Sequence, residues 1–294
     1  MSAQFEMVGI RQMPKEVPFK KEKWYQGKPV LAIGILIFII AGCLCCNLFI
    51  TKDPAYLDLA NCSVAPGREF FFGTDAMGRD IFSMIWYGGR ISLLIGMAAT
   101  LISTAIAIIF GSFSGCAPKW ADMLLMRLTD IWLSVPDLLI IILIQAVLGK
   151  ADQLSLSFVI GITSWTSIAK VVRTEVRRLR SSEYVIASKC MGGSFFHVLW
   201  RHLTPNFISS IMFMVVMNIR SAMIAEATLS FMGIGLPVGV ISWGTMLSLA
   251  EQALLTNAWW IIVLPGMFLL VTLLCITSIG NYMRKKGDGR HSNL

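Results

Sequence analysis

The feature that most constrains this chain is a series of long apolar stretches, each about 20 residues or more, separated by more polar segments. A helix needs about 20 mostly apolar residues to cross the hydrocarbon of a bilayer. Six such stretches can be drawn, at about Pro29–Ile50, Ile91–Cys116, Met123–Leu148, Leu154–Val176, Pro205–Ile234 and Ala258–Met283. No charge falls between Lys28 and Lys52, or between Arg90 and Lys119. Composition agrees: 14% of the 294 residues are charged and 56% are hydrophobic, against about 25% charged in soluble domains. The first stretch is too long for a signal-peptide core and has no small-x-small cleavage site, so it reads as an uncleaved membrane helix. The fold expected is all-α and integral to the membrane.

The net charge of +8 could suggest a nucleic-acid partner, but its placement argues against one. Basic residues concentrate in the N-terminal segment (Arg11, Lys15, Lys20, Lys21, Lys23, Lys28), between the fourth and fifth stretches (Arg177, Arg178, Arg180, Lys189, Arg201), and at the C-terminus (Arg284, Lys285, Lys286, Arg290). With six spans these segments share one side, and the rule that positive loops stay inside places both termini in the cytoplasm. The organisation expected is a cytoplasmic tail (1–28), a first membrane helix (29–50) and an extracytoplasmic loop (51–90). A core of five membrane helices (91–283) follows, with a cytoplasmic loop at 180–206, and then a C-terminal tail (284–294).

That cytoplasmic loop, Glu183 to Asn206, is too apolar to be a solvated connection. Glu183 to Met191 has helical character, Gly192-Gly193 breaks it, and Ser194 can cap a second helix running to Leu203, which Pro205 ends. Val185, Ile186, Met191, Phe195, Phe196 and Trp200 would face no lipid if this element projects from the membrane, so the surface calls for a protein partner.

Here the chain resembles the permease subunits of ATP-driven (ABC-type) importers, in the dipeptide, oligopeptide and nickel branch. The loop motif of those subunits is a Glu-Ala-Ala triplet, three residues, Gly, nine residues and Ile-x-Leu-Pro. It aligns with Ile186-Ala187-Ser188, Gly192 and His202-Leu203-Thr204-Pro205, preceded by Glu183-Tyr184-Val185. Ile186 stands where the family usually has Glu, and Thr204 where it usually has Leu. Two further blocks resemble the same branch. Upstream are Gly73-Thr74-Asp75-Ala76-Met77-Gly78-Arg79-Asp80 and Tyr87-Gly88-Gly89-Arg90-Ile91-Ser92. Downstream are Glu226-Ala227-Thr228-Leu229-Ser230-Phe231-Met232-Gly233-Ile234-Gly235 and Ser242-Trp243-Gly244.

The resemblance implies a type I importer architecture and a set of partners. These are a second homologous permease, two cytoplasmic ATPase subunits that bind ATP and Mg, and an extracytoplasmic solute-binding protein. The chain would need no cofactor of its own. It carries no phosphate loop, since Gly149-Lys150 is followed by Ala151, and no metal-ligand cluster or nucleophile elbow. The loop residues Glu183, Tyr184, Ala187, Ser188, Gly192, Gly193, His202 and Pro205 would dock the ATPases. Solutes carried within the branch include dipeptides, oligopeptides, nickel and metal chelates.

Charges inside the spans cost about 2.5–3.5 kcal/mol each on insertion scales, so Arg127, Asp130, Arg220 and Glu226 should face protein or water. They are candidates for a pathway lining or gate, or for structural pairs. Arg127 and Asp130, three apart, can pair along one helix face, whereas Arg220 and Glu226 lie on different faces. The methionines of the fifth span read as adaptable packing, Cys43, Cys45 and Cys46 as small lipid-compatible fillers, and Cys62 as an unpaired thiol outside the membrane. A secondary transporter driven by an ion gradient is the alternative class. It would leave the apolar loop without a partner.

Overall fold

The computed structural model describes residues 29–50, 52–149, 152–237, 239–249, 253 and 257–291. The basic N-terminal segment, Lys150, and the side chains of Phe195, Phe196, His202 and Pro205 lie outside what is described. Twelve helices occur among the described residues: α1 (Val30–Leu44), α2 (Cys46–Phe49), α3 (Ile81–Cys116), α4 (Lys119–Leu133), α5 (Asp137–Leu148), α6 (Gln153–Thr163), α7 (Thr166–Leu179), α8 (Glu183–Cys190), α9 (Phe195–Val198), α10 (Thr204–Phe231), α11 (Trp243–Leu247) and α12 (Trp260–His291). The only β feature among the described residues is an isolated bridge between Thr74 and Asp80. Three helices are long and apolar enough to cross a membrane: α3, the Ser210–Phe231 part of α10, and the Trp260–Lys285 part of α12. Five segments qualify if each of two bent pairs counts as one, and α1, at 15 residues, is shorter.

The helices correct the sequence reading in several places. The second apolar stretch starts at Ile81 rather than Ile91, because Asp80 caps the helix by accepting from the Ser83 N–H at 2.9 Å. The resulting helix has 36 residues, roughly 54 Å at 1.5 Å per residue. The third stretch is two helices, α4 and α5, bent by 86° at Ser134-Val135-Pro136. Proline removes a backbone donor and disfavours helical geometry at the preceding residue, which favours a break at Pro136, although α12 accommodates Pro265 within one helix. The fourth stretch is also broken, by 47° between α6 and α7. No proline lies there. Instead Thr163 and Ser164 turn their hydroxyls back onto the carbonyls of Val159 and Ile160 at 2.8–3.1 Å, a pattern that bends helices. The two breaks adjoin, and the Trp132 indole N–H donates to the Thr163 carbonyl at 3.2 Å. The presumed C-terminal tail continues α12 to His291.

Asp152 opens α6 with a capping box, accepting from the Ser155 N–H at 2.6 Å. That backbone hydrogen bond holds its carboxyl below the usual carboxylate range.

α3 is the pillar of the fold, since it contributes to all three apolar cores. The first core joins α1, the first half of α3, α11 and α12 around Trp243 and Ile85. The second joins the last part of α3 to α7, α8 and the start of α10 around Val172, Val176 and Phe207. The third joins the middle of α3 to α5, α6 and the end of α10 around Ile95, Ile141 and Ile160. In lipid the hydrophobic effect does not drive helices together, so close approach through small residues matters more. A Cβ on Gly111 of α3 would lie 2.5 Å from the Ala169 carbonyl oxygen of α7, which shows how near the two backbones come.

Candidate functional site: a surface loop and two buried carboxylate clasps

The loop keeps the shape expected from its sequence. α8 ends where the Met191 N–H bonds the Ala187 carbonyl and the Gly193 N–H bonds the Ser188 carbonyl, both at 3.0 Å. Gly192 has φ +83°, a backbone region that costs a residue with a Cβ about 1–2 kcal/mol. Ser194 caps α9 by accepting from the His197 N–H at 3.3 Å. Past α9 the chain does not stop at Pro205. It passes through a π-helical turn, Leu199–Leu203, directly into α10, where Pro205 occupies the first turn and its missing N–H costs nothing.

The loop's apolar residues divide between two faces. Val185, Val198 and Leu203 are buried against Val172, Val176 and Phe207, so Val185 faces its own core rather than a partner. Ser188 is also buried. Ile186, Met191 and Trp200 are exposed, as are Glu183, Tyr184, Ala187 and Gly192.

Deep in the bundle the downstream blocks and the Tyr87–Ser92 block meet on one carboxylate. Glu226 of α10 has no exposed surface. Its Oε2 accepts from the Ser92 hydroxyl of α3 at 3.0 Å, and its Oε1 accepts from Ser242 at 2.8 Å and Ser230 at 3.1 Å. The hydroxyls are held in turn. Ser92 Oγ accepts from the Trp243 N–H at 3.2 Å, Ser230 Oγ from the Leu236 N–H at 3.3 Å, and Ser242 forms a capping box with Thr245 at the start of α11. Trp243 is fully buried and donates its indole N–H to the Ile85 carbonyl at 2.9 Å. A Cβ on Gly244 would lie 2.8 Å from Ala227 Cα, so only glycine lets this turn press onto α10. The sequence held every member of this clasp, but Ser92 and Glu226 are 134 positions apart and nothing in the spacing joined them.

A second clasp, at the far end of α3, was not singled out from the sequence. Asp122 of α4, 4% exposed, accepts from the Ser114 hydroxyl of α3 at 2.7 Å. It also accepts from Arg173 through Nε and Nη2, both at 2.5 Å, and from Arg177 Nη1 at 2.6 Å. Beside it Arg180 donates to the Gly115 carbonyl at 3.1 Å. The two-pronged Arg173 fork fixes both distance and orientation. The signal available in the sequence was the four-residue spacing of Arg173 and Arg177, which puts both on one face of α7.

The other candidates are scattered. Asp130 does not pair with Arg127; it pairs with Lys170 of α7 at 2.7 Å, with side chains 50% and 39% exposed. Arg220 is half-buried, its Nε inaccessible and without a hydrogen-bond partner among the described residues.

The Gly73–Asp80 block is a locked turn ahead of α3. Asp75 accepts from the Met77 and Arg79 N–H groups at 2.9 and 2.8 Å and pairs with Arg79 Nε at 2.7 Å. Thr74 hydroxyl donates to the Asn61 carbonyl at 2.6 Å, and Trp260 donates to the Thr74 carbonyl at 3.1 Å. At Gly78, φ +77°, a Cβ would meet the Asp58 carbonyl oxygen at 1.8 Å. Among the described residues no group of three His, Cys, Asp or Glu side chains is placed to hold a metal ion.

Comparison with known proteins gives the family. Residues 107–286 match the family described as binding-protein-dependent transport system inner membrane component. The oligopeptide transport system permease protein of Bacillus subtilis is 36% identical over 259 residues, covering 88% of this chain and 84% of that protein. The dipeptide transport system permease protein of the same organism is 32% identical over 254 residues, covering 86% and 79%. The oligopeptide transport system permease protein of Haemophilus influenzae is 33% identical over 279 residues, covering 91% and 86%. With more than half its length matched by the family and relatives above 30% identity along nearly the whole chain, this protein belongs to the binding-protein-dependent transport system inner membrane components.

Proposed function

We propose that the chain is a membrane-spanning permease subunit of an ATP-driven importer of peptides in a prokaryotic cell membrane. It crosses the membrane six times with both termini in the cytoplasm, and with a second, homologous permease it forms the translocation pathway. An extracytoplasmic binding protein delivers the solute, and two cytoplasmic ATPase subunits supply ATP hydrolysis with Mg. The peptide class rests on the names of the relatives above. Nickel and metal chelates are the other solutes the resemblance allows.

The observation that carries this reading is the two-faced loop. One face, through Val185 and Val198, is packed on α7 and α10, while Ile186, Met191 and Trp200 stand exposed on the other. Such a surface is rigidly mounted and apolar, which suits an ATPase cleft and lets closure of the ATPase pair rock the helices as rigid bodies. Of the charges inside the spans, Glu226 then serves as a structural clasp, because hydroxyls occupy both carboxylate oxygens. Arg220, whose Nε lacks a hydrogen-bond partner among the described residues, is the candidate for the pathway.

The test is a pull-down of the ATPase subunits with transport of a labelled peptide and a nickel chelate assayed in parallel. A Cβ at Gly192 would meet nothing within 4 Å among the described residues, and Ala187 is exposed. Gly192→Arg and Ala187→Asp should therefore leave the helices inserted but release or uncouple the ATPases. Ile186→Glu, which restores the residue usual in the family, should be tolerated. Full transport with retained ATPases in both damaging variants would refute the docking role.

A further inference from the structure

We infer that Asp122 is a positioning residue for coupling: it makes α4 follow the movement of α7, so that force delivered at the loop reaches the outer α4–α5 layer. This rests on the docking reading of the loop.

Three observations carry it. First, the loop is mechanically continuous with α7. Arg180 caps α7, the Ser182 N–H and hydroxyl both return to the Leu179 carbonyl at 3.0 and 2.6 Å, and Val185 N–H bonds the Ser182 carbonyl at 3.1 Å. Val185 of α8 packs with Val172 and Val176 of α7 in one core. Displacement of α8 therefore moves the end of α7.

Second, α4 is poorly held by apolar packing. Trp120, Met123, Leu124, Leu128 and Ile131 are 53–71% exposed, and only Asp122 and Thr129 of this helix are buried. Its attachment to α7 is polar, and the Asp122 carboxylate takes three of its hydrogen bonds from α7 guanidiniums and one from Ser114 of α3. Among the described residues the other polar links of α4 to α6 and α7 are the exposed Asp130–Lys170 pair and the Trp132–Thr163 bond. Exposed pairs of that kind contribute little.

Third, the clasp lies close to the loop in sequence and space: Arg173 and Arg177 are in the last two turns of α7, and Arg180 ties the same point to the Gly115 carbonyl. A fork onto a nearly buried carboxylate resists both stretching and rotation, which a lever joint requires. The charge pattern also excludes a simple swap. Arginine nitrogens only donate, so an amide at position 122 would present its N–H₂ group to guanidinium N–H groups and the joint would open.

The experiment uses the full complex of both permeases, ATPases and binding protein in proteoliposomes. Peptide transported per ATP hydrolysed is measured per assembled complex. Asp122→Asn should keep the ATPases bound and hydrolysing while lowering that ratio about tenfold, the scale of an ordinary coupling free energy. Asp122→Glu, which keeps the charge, should recover most of the ratio. Two results would overturn the proposal: a ratio within about twofold of wild type in Asp122→Asn, or hydrolysis and transport falling together with the amount of complex. The loop variants separate the two readings. If Gly192→Arg uncouples and Asp122→Asn does not, the relay alone is wrong. If Gly192→Arg has no effect, the docking reading fails and takes the relay with it.

Discussion

A third of the way along α3 the carboxylate of Glu226 is ringed by hydroxyls; near the helix's last turn, that of Asp122 is ringed by guanidiniums. Both clasps join α3 to two other segments, and both acids are nearly or fully buried. Their surroundings differ in kind. Ser92, Ser230 and Ser242 can donate or accept, and their hydroxyls rotate to suit the acid. Arg173 and Arg177 can only donate, and they carry charge that needs an anion. Glu226, Ser92 and Ser242 have no exposed surface, whereas the Arg173 and Arg177 side chains are 24% and 37% exposed. The first arrangement suits a permanent joint in the middle of a bundle. The second suits a joint near a surface that is loaded by a partner.

The largest effects should come from prying each clasp open with bulk. At Gly244 an added Cβ would meet Ala227 Cα and Ser230 Cβ, both at 2.8 Å; at Gly115 it would meet Val176 Cγ1 and Cβ at 2.8 and 2.9 Å and the Arg173 carbonyl oxygen at 3.0 Å. At both positions the obstacle is fixed to a helix backbone, so a rotamer change alone does not relieve it. Gly244→Ala and Gly115→Ala should each cost about 3 kcal/mol, the upper end of the usual span for overpacking. Thermal unfolding of the purified chain in detergent would show both losses. A negligible cost at either glycine would mean that its joint is loosely packed.

Next in size is a matched pair of isosteric amides. Asp122→Asn turns two donors toward each other and leaves two guanidiniums without their anion, at about 2 kcal/mol, moderated by the water that reaches Arg177. Glu226→Gln should cost about 1 kcal/mol or less, because a serine hydroxyl can turn to accept from the new N–H₂. Added salt should weaken the wild-type Asp122 clasp and leave that of Glu226 unchanged. If Glu226→Gln proves the more destabilising, the hydroxyl ring is not adaptable and the contrast between the clasps fails.

How far this could be read from the sequence depends on distance along the chain. The apolar stretches were legible, and so was the loop's helix–glycine–helix form, because both depend on neighbours within a few residues. Pro136 was a visible break signal inside an otherwise apolar run, yet composition alone favoured one span through it. The bend after Thr163 gave no such signal, since serine and threonine bend a helix only when their hydroxyls turn back on it. Asp80 lay in a block that resembled a loop, which hid its role as the cap of α3. The partners of Glu226 and Asp130 are on other helices, and no one-dimensional pattern assigns them. The loop motif showed which residues to watch but not which face they take: Val185 turned inward and Ile186 outward, a difference of one position on a helix.

The smallest effects should come from single hydroxyls, and they test whether the clasps differ in connectivity as well as charge. Ser92 has two duties: it donates to Glu226 and accepts from the Trp243 N–H at 3.2 Å. Ser92→Ala therefore strands a buried backbone donor and thins the carboxylate's shell together, at about 1–2 kcal/mol. Ser114 donates to Asp122 alone, and three guanidinium N–H groups remain on that carboxylate when it is gone. Ser114→Ala should cost about 0.5 kcal/mol, the low end for a single hydrogen bond. Combining each with its amide variant gives two double-mutant cycles. Ser92→Ala with Glu226→Gln should be strongly non-additive, because both act on one closed network, while Ser114→Ala with Asp122→Asn should be nearly additive once the arginines have opened the joint. Equal coupling in the two cycles would show that the hydroxyl at Ser114 is as integral to its clasp as Ser92 is, and that charge is the sole difference between them.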